Sequence, residues 1–225
     1  MSIDPTHGPV AVIFDLDGTL LDTIDDLADA MNHILKGQGF ETHPTGSYFR
    51  FIGNGMVELV ERALPEEIRG DSAAVHGYTE AFRARYSERW NIKTKPYEGI
   101  PAVLDALTEA NIPMGVCSNK PDQLTKKCIS VILDSWSFGS VLGQSDAFPR
   151  KPDPASALQV VKELGADPGR TWFVGDSGVD MKTATAAEMV AVGVLWGFRS
   201  RVELEDNNAG HVVESPAALL DLLLG

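Results

Sequence analysis

Two acids one residue apart, Asp15 and Asp17, close an unbroken apolar run, Val10-Ala11-Val12-Ile13-Phe14. A short apolar run rich in β-branched side chains and ended by Gly18 suits a strand buried on both faces. In open α/β sheets ligands bind beyond the carboxyl ends of strands, so the pair stands where chemistry is expected. Carboxylates so placed can act as nucleophile or as general acid/base. Taken alone, the pair also fits a loop with two solvated acids. Further polar groups follow later apolar runs. Ser118-Asn119-Lys120 follows Ile112-Pro113-Met114-Gly115-Val116-Cys117, and Gly175-Asp176-Ser177-Gly178-Val179-Asp180 follows Thr171-Trp172-Phe173-Val174. Lys151 stands just before a helical stretch. Singly, Ser118 reads as a helix cap, Lys151 as a solvated surface lysine and Asp180 as an acid near a helix N-terminus.

The elements that must position these groups alternate. Strands are predicted at residues 10–14, 112–117, 140–142, 171–174 and 189–194, with a last short one at 211–213. Helices are predicted at 100–110, 121–133, 155–164, 181–187 and 216–224. Such alternation predicts an α/β fold, a doubly wound, Rossmann-like parallel sheet. Between Asp22 and Trp90 no strand is read. Leu21-Asp22-Thr23 leads into a helix carrying Ile24, Leu27, Ala28, Met31, Ile34 and Leu35, capped by Asp22 or Thr23 and ended by Gly37 or Gly39. Gly53 and Gly55 make a turn before a helix bearing Met56, Leu59, Val60 and Ala63, and residues 73–90 form another. The expected organisation is a core of residues 1–21 and 93–225 with a small all-helical domain of residues 22–92.

The chain has 225 residues, 44% of them hydrophobic, enough for a large domain or a domain plus a smaller one. No apolar run approaches the ~20 residues needed to cross a bilayer. Met1-Ser2-Ile3-Asp4-Pro5-Thr6-His7 lacks the pattern of a signal peptide, so the expected location is cytoplasmic. The net charge of −13 and the absence of a Lys/Arg cluster argue against nucleic-acid binding. Two cysteines, Cys117 and Cys128, read as buried free thiols, and the five histidines show no zinc-type spacing. Gly53-Asn54-Gly55-Met56-Val57-Glu58 lacks the third glycine of a dinucleotide fingerprint, and no Gly-rich run precedes Lys120 to make a P-loop.

Asp15-Leu16-Asp17-Gly18-Thr19 resembles the first motif of the haloacid dehalogenase-like phosphohydrolases. Ser118, Lys151 and the run Gly175 to Asp180 resemble the second, third and fourth, in the family's order, and the resemblance covers the chain after residue 9. It implies an aspartyl-phosphate on Asp15, with Asp17 as acid/base. Converging carboxylates repel one another, and a hard divalent cation relieves this. The resemblance implies Mg²⁺ on Asp15, the backbone carbonyl of Asp17 and Asp176, with Asp180 acting indirectly or through water. Ser118 and Lys151 are expected to bind the phosphoryl oxygens, helped by backbone N–H groups at Leu16 and Asn119. Family members often have Ala-Gly where this chain has Ala187-Glu188, a departure that touches only local packing.

Within the family the chain most resembles phosphoglycolate phosphatases, through residues 15–23, Phe51-Ile52-Gly53-Asn54-Gly55 and Lys95-Pro96-Tyr97-Glu98-Gly99. The implied substrate is 2-phosphoglycolate or a similar small phosphorylated metabolite. Arg50 and the loop around Gly53 are candidates for contact with its non-phosphate end; the other possibility is a solvated Arg50 and a plain turn. Dehalogenation is disfavoured, because it needs neither metal nor an acid at position 17. A pyrophosphatase or a β-phosphoglucomutase-like phosphotransferase is the alternative enzyme within the family, and a non-catalytic binding protein of the same fold is the alternative of a different class. The assembly expected is a monomer or homodimer.

Overall fold

The structure, a computed structural model, describes residues 8–225; the stretch Met1 to His7, read above for a signal peptide, lies outside the described residues. β1 (Ala11–Phe14) is wholly buried. After the acidic loop the chain forms β2 (Leu21–Asp22), then α1 (Ile24–Gly37), a 3-10 turn (Thr45–Arg50), α2 (Met56–Ala63) and α3 (Ser72–Arg89). It returns through β3 (Lys95–Pro96), which pairs antiparallel with β2. From there strands and helices alternate: α4 (Ile100–Glu109), β4 (Met114–Pro121), α5 (Asp122–Ile132), β5 (Ser140–Gln144), α6 (Ala155–Leu164) and β6 (Thr171–Gly175). α7 (Gly178–Ala186), β7 (Val190–Val194), α8 (Arg201–Asp206), β8 (His211–Val213) and α9 (Pro216–Leu224) complete the chain.

Six strands form one parallel sheet in the order β5-β4-β1-β6-β7-β8, so the fold is α/β and doubly wound. β1 lies between β4 and β6, where the strand order reverses, and the carboxyl ends of these three strands open a crevice there. The strand period of two splits the core. Val12, Phe14, Val116 and Val174 enter one cluster with Val103, Leu104 and Leu219 of α4 and α9. Ile13, Cys117 and Phe173 enter another with Val160, Met181 and Leu204 of α6, α7 and α8. Both cysteines are buried and free. Among the described residues no helix is long and apolar enough to cross a membrane.

Several elements depart from expectation. β2 and β3 are two residues each, too short to leave a periodic signal, yet they are where the chain leaves and re-enters the sheet domain. Thr23 holds the N-cap position of α1 without a side-chain cap hydrogen bond. β4 runs through Ser118, Asn119 and Lys120 instead of ending before them. α7 starts at Gly178, three residues before the expected 181, so Asp180 belongs to its first turn. α8 was not foreseen, being a six-residue helix in an exit loop.

Asp26, in the first turn of α1, is 3% exposed and fastens the re-entry. Its Oδ2 accepts from Thr94 N (2.8 Å), Thr94 Oγ1 (2.7 Å) and Lys93 N (3.0 Å). Asp26→Ala leaves backbone donors of this junction unpaired. The expected cost is about 1–3 kcal/mol in urea-induced unfolding; an unchanged midpoint would show that the junction is held by β2 and β3 alone.

Candidate active site

The acidic loop is placed by the sheet. Asp15 N donates to Val174 O (2.9 Å), continuing the β1–β6 ladder one residue past the strand. That pairing brings Asp15 beside the loop that follows β6. Asp15, Asp176 and Asp180 each offer an oxygen within 4.8 Å of the others. Asp176 is 2% exposed and Asp180 is fully buried. Gly18 stands against this cluster at φ +87°, and a Cβ there would lie 2.5 Å from Asp176 Oδ2. Only glycine meets both conditions, which gives the fourth residue of Asp15-Leu16-Asp17-Gly18 a physical reason.

Burial is the largest influence on the titration of Asp15 and of Asp176. Asp15 is pushed up to about 6 by burial, with Lys151 opposing and Asp180 adding. Asp176 is held well above the ordinary carboxylate range by burial and by Asp180 and Asp15, against the Phe198 N–H it accepts at 2.7 Å. Lys151 is buried as well. Burial alone would pull its ammonium down, but Asp15 and Asp180 outweigh that and raise it. Its Nζ lies 2.6 Å from Asp180 Oδ1 and 3.1 Å from Asp15 Oδ1. Far from being a solvated surface lysine, it stands behind Asp15 at 2% side-chain exposure.

Both oxygens of Asp180 are engaged. Oδ1 accepts from Lys151, and Oδ2 accepts from Ser177 N (3.0 Å) and Ser177 Oγ (2.6 Å), forming the capping box of α7. Asp15 and Asp176 are then the carboxylates with oxygens left for an ion. Three buried carboxylates face one buried ammonium, and a hard divalent cation fits that excess of negative charge.

The other expected residues are placed as follows. Ser118 is buried and lines the cavity with Asp15, and its Oγ accepts from Lys120 N at 3.3 Å. The Asn119 side chain is a strut: Oδ1 accepts from Lys151 N (2.9 Å), and Nδ2 donates to Lys151 O (3.1 Å) and to Gly53 O (3.2 Å). Its amide thus ties the Lys151 loop to the helical insert, while the residue itself lines the cavity. Gly53 lines the cavity at φ +113°. Arg50 does not: it is exposed and borders a surface groove with Asn54 and Arg62 that meets the cavity at Phe198 and Arg199. The structure therefore does not bring Arg50 to the acids. Arg199 lines the cavity instead, its guanidinium donating to the carbonyls of Phe49 and Ile52.

Sequence reasoning missed Lys120 and Tyr86. Lys120 Nζ lies 3.0 and 3.1 Å from the two oxygens of Asp17 and donates to Tyr86 OH at 2.9 Å. Lys120 shares a run with Ser118, and Tyr86 falls on the buried stripe Val75, Thr79, Phe82, Tyr86 of α3; those were the available signals. Arg150, bound to both oxygens of Glu58 at 2.6 and 2.8 Å, is a further tie between sheet domain and insert. The cavity between the strand ends and the helical insert measures about 50 Å³. Its floor is Asp15, Asp17, Ser118 and Asp176, and its roof is Leu27, Met56, Leu59 and Phe82.

A family profile described as haloacid dehalogenase-like hydrolase matches residues 12–194, most of the chain. The chain belongs to that family. This haloacid dehalogenase-like enzyme is 32% identical over 212 residues to the phosphoglycolate phosphatase of Aquifex aeolicus, covering 94% of this chain and 95% of the relative. It is 33% identical over 215 residues to the phosphoglycolate phosphatase of Agrobacterium fabrum, covering 94% and 91%. A crystal structure from Lactobacillus delbrueckii, assigned as a phosphoglycolate phosphatase, superposes with a TM-score of 0.91 at 29% identity, covering 97% of this chain and all (100%) of that one. CbbY from Rhodobacter sphaeroides, solved with phosphate, shares the fold at a TM-score of 0.72 and 20% identity, over 96% and 99% of the two chains.

Proposed function

We propose that this haloacid dehalogenase-like enzyme is a Mg²⁺-dependent phosphomonoester hydrolase that works through an aspartyl-phosphate on Asp15. The observation that carries the reading is Asp15 itself, a buried carboxylate on the cavity floor between Ser118, Lys151 and Asp176. Its Oδ1 is held by Leu16 N–H (2.7 Å) and by Lys151, which leaves Oδ2 to attack phosphorus. As the bond from phosphorus to the leaving oxygen breaks, Asp17 supplies the proton that oxygen needs. Asp17 then takes a proton from water as the water attacks the same phosphorus and frees Asp15. Ser118 and Lys151 stabilise the charge on the transferring group. Asp15, the backbone carbonyl of Asp17 and Asp176 would hold the cation, which neutralises the excess charge of cluster and phosphate.

Residues 22–92 serve in this reading as a cap over a core of residues 1–21 and 93–225. The small cavity favours a small leaving group, because 50 Å³ is room for only a few water-sized groups. Together with the names of the relatives, this supports 2-phosphoglycolate. The test is phosphate release with Mg²⁺ from 2-phosphoglycolate, pyrophosphate, β-glucose 1-phosphate and p-nitrophenyl phosphate, with Asp15→Asn as blank. The expected result is a kcat/KM for 2-phosphoglycolate at least ~10-fold above the others, a gap of about 1.4 kcal/mol. A higher value for pyrophosphate or the sugar phosphate would overturn the substrate while keeping the chemistry.

Cation binding should carry a pH signature. Asp15 and Asp176 are raised, so they bind protons more tightly folded than unfolded. Without cation, the contribution of Asp15 to stability falls as pH rises from the unfolded carboxylate range through about 6, the deficit persists above it, and Asp176 acts in the same direction. Mg²⁺ binds the ionised pair, so the Tm gain on adding it should be small near pH 5 and larger at pH 8. A gain independent of pH would remove these acids from the cation site.

A further inference from the structure

Lys120 has no part in the chemistry above, yet its side chain is only 3% exposed. A buried ammonium is costly unless every donor is matched, and here all are. Two contacts straddle the Asp17 carboxylate, at 3.0 and 3.1 Å, and one reaches Tyr86 OH at 2.9 Å. A cation shared between both oxygens fixes the plane of a carboxylate as well as its position. The anchors come from different parts of the fold. Asp17 lies in the loop after β1, and Lys120 lies on β4 of the sheet; Tyr86 lies on α3 of the helical insert. The Tyr86 ring is fully buried and stacked on Phe82, with centroids 5.7 Å apart and planes 5° from parallel, so its hydroxyl moves only with α3. The seat of Asp17 is thus tied to the seat of the insert.

We infer that Lys120 is a positioning residue which, through Tyr86, holds the Asp17 carboxylate in register with the cavity only while the insert is closed, so that proton transfer to the leaving oxygen is coupled to closure. The inference rests on the phosphatase reading, with Asp17 as acid/base. Its consequence is selective. An alkyl leaving group departs poorly without a proton, whereas p-nitrophenolate departs without one. kcat/KM reports the steps through departure of the leaving group, so it isolates that difference.

The experiment measures kcat/KM with Mg²⁺ for 2-phosphoglycolate and p-nitrophenyl phosphate in the unsubstituted enzyme, Lys120→Met, Tyr86→Phe and the double variant. Folding is checked by circular dichroism. With 2-phosphoglycolate, Lys120→Met should lose on the order of 100-fold, the scale of a misplaced general acid. With p-nitrophenyl phosphate it should lose under about 5-fold, because no proton is required. Tyr86→Phe keeps the ring, removes only the hydroxyl, and should show the same selectivity to a smaller degree. The double variant should be no worse than Lys120→Met, because the residues act in one chain. Equal losses on both substrates would overturn the inference, as would independent, multiplicative effects. Should Lys120→Met fail to fold, Tyr86→Phe decides: a loss confined to 2-phosphoglycolate supports the coupling, and an unselective loss or none overturns it. No hydrolysis of either ester by the unsubstituted enzyme would overturn the phosphatase reading, and the inference with it.

Discussion

Asp15→Asn is expected to abolish turnover while leaving the fold intact. The amide keeps the shape of the side chain and can still accept from Leu16 N–H, but it cannot form the aspartyl-phosphate. The loss in kcat should reach ~10⁴-fold or more, as for other removed nucleophiles. Stability should move the other way from activity. Asp15 titrates near 6 because burial and Asp180 disfavour its charge, so at pH 7.5 the cation-free protein holds that charge at a cost. Asn relieves the cost, and Lys151 keeps Asp180 at 2.6 Å as its partner. The expected Tm without cation is therefore equal to or above that of the unsubstituted protein. Retained phosphatase activity, with contaminating enzyme excluded, would overturn the assignment of Asp15 as nucleophile.

Lys151→Met is expected to cost both activity and stability. Its ammonium is the buried cation that meets Asp15 and Asp180. Removing one partner from a buried pair leaves an uncompensated charge, typically a loss of about 3–5 kcal/mol. The activity should fall on the order of 10³-fold, because an electrostatic stabiliser of the transferring group is gone. The stability loss has a pH signature with a definite sign. A protonated Asp15 carboxyl needs no ammonium, and without Lys151 that carboxyl is raised further. Urea midpoints of variant and parent should therefore differ more at pH 8 than at pH 5. A difference that stays constant or grows toward low pH would mean that Lys151 is not the counter-charge of these acids.

The parallel sheet was legible because its strands are buried on both faces and leave continuous apolar runs. Val10 to Phe14 and Thr171 to Val174 each lead directly into acids, so strand ends and candidate chemistry announced one another. Residues within a few positions of a strand end were found for that reason: Asp15, Asp17, Ser118 and Asp176. Partners made by long-range packing were not. Lys120 meets Tyr86 and Arg150 meets Glu58 across separations no local period encodes. Arg50 was the natural candidate for an anion contact by charge and neighbourhood. The 3-10 turn carries it to the surface, and Arg199, far along the chain, reaches the cavity. The two-residue strands β2 and β3 lie below the length at which alternation can be read. The role expected of Asn119 lay in its backbone N–H; that its side-chain amide spans the Lys151 backbone and Gly53 left no local signal in the sequence.

Asp17→Asn with p-nitrophenyl phosphate separates formation of the aspartyl-phosphate on Asp15 from its hydrolysis. Departure of p-nitrophenolate needs no acid, whereas hydrolysis of an aspartyl-phosphate needs the base that this variant lacks. The expected result is a burst of p-nitrophenolate equal to the enzyme concentration, then slow release, and mass spectrometry of the acid-quenched protein should place the phosphoryl group on Asp15. No burst, or a phosphoryl group on another residue, would contradict it.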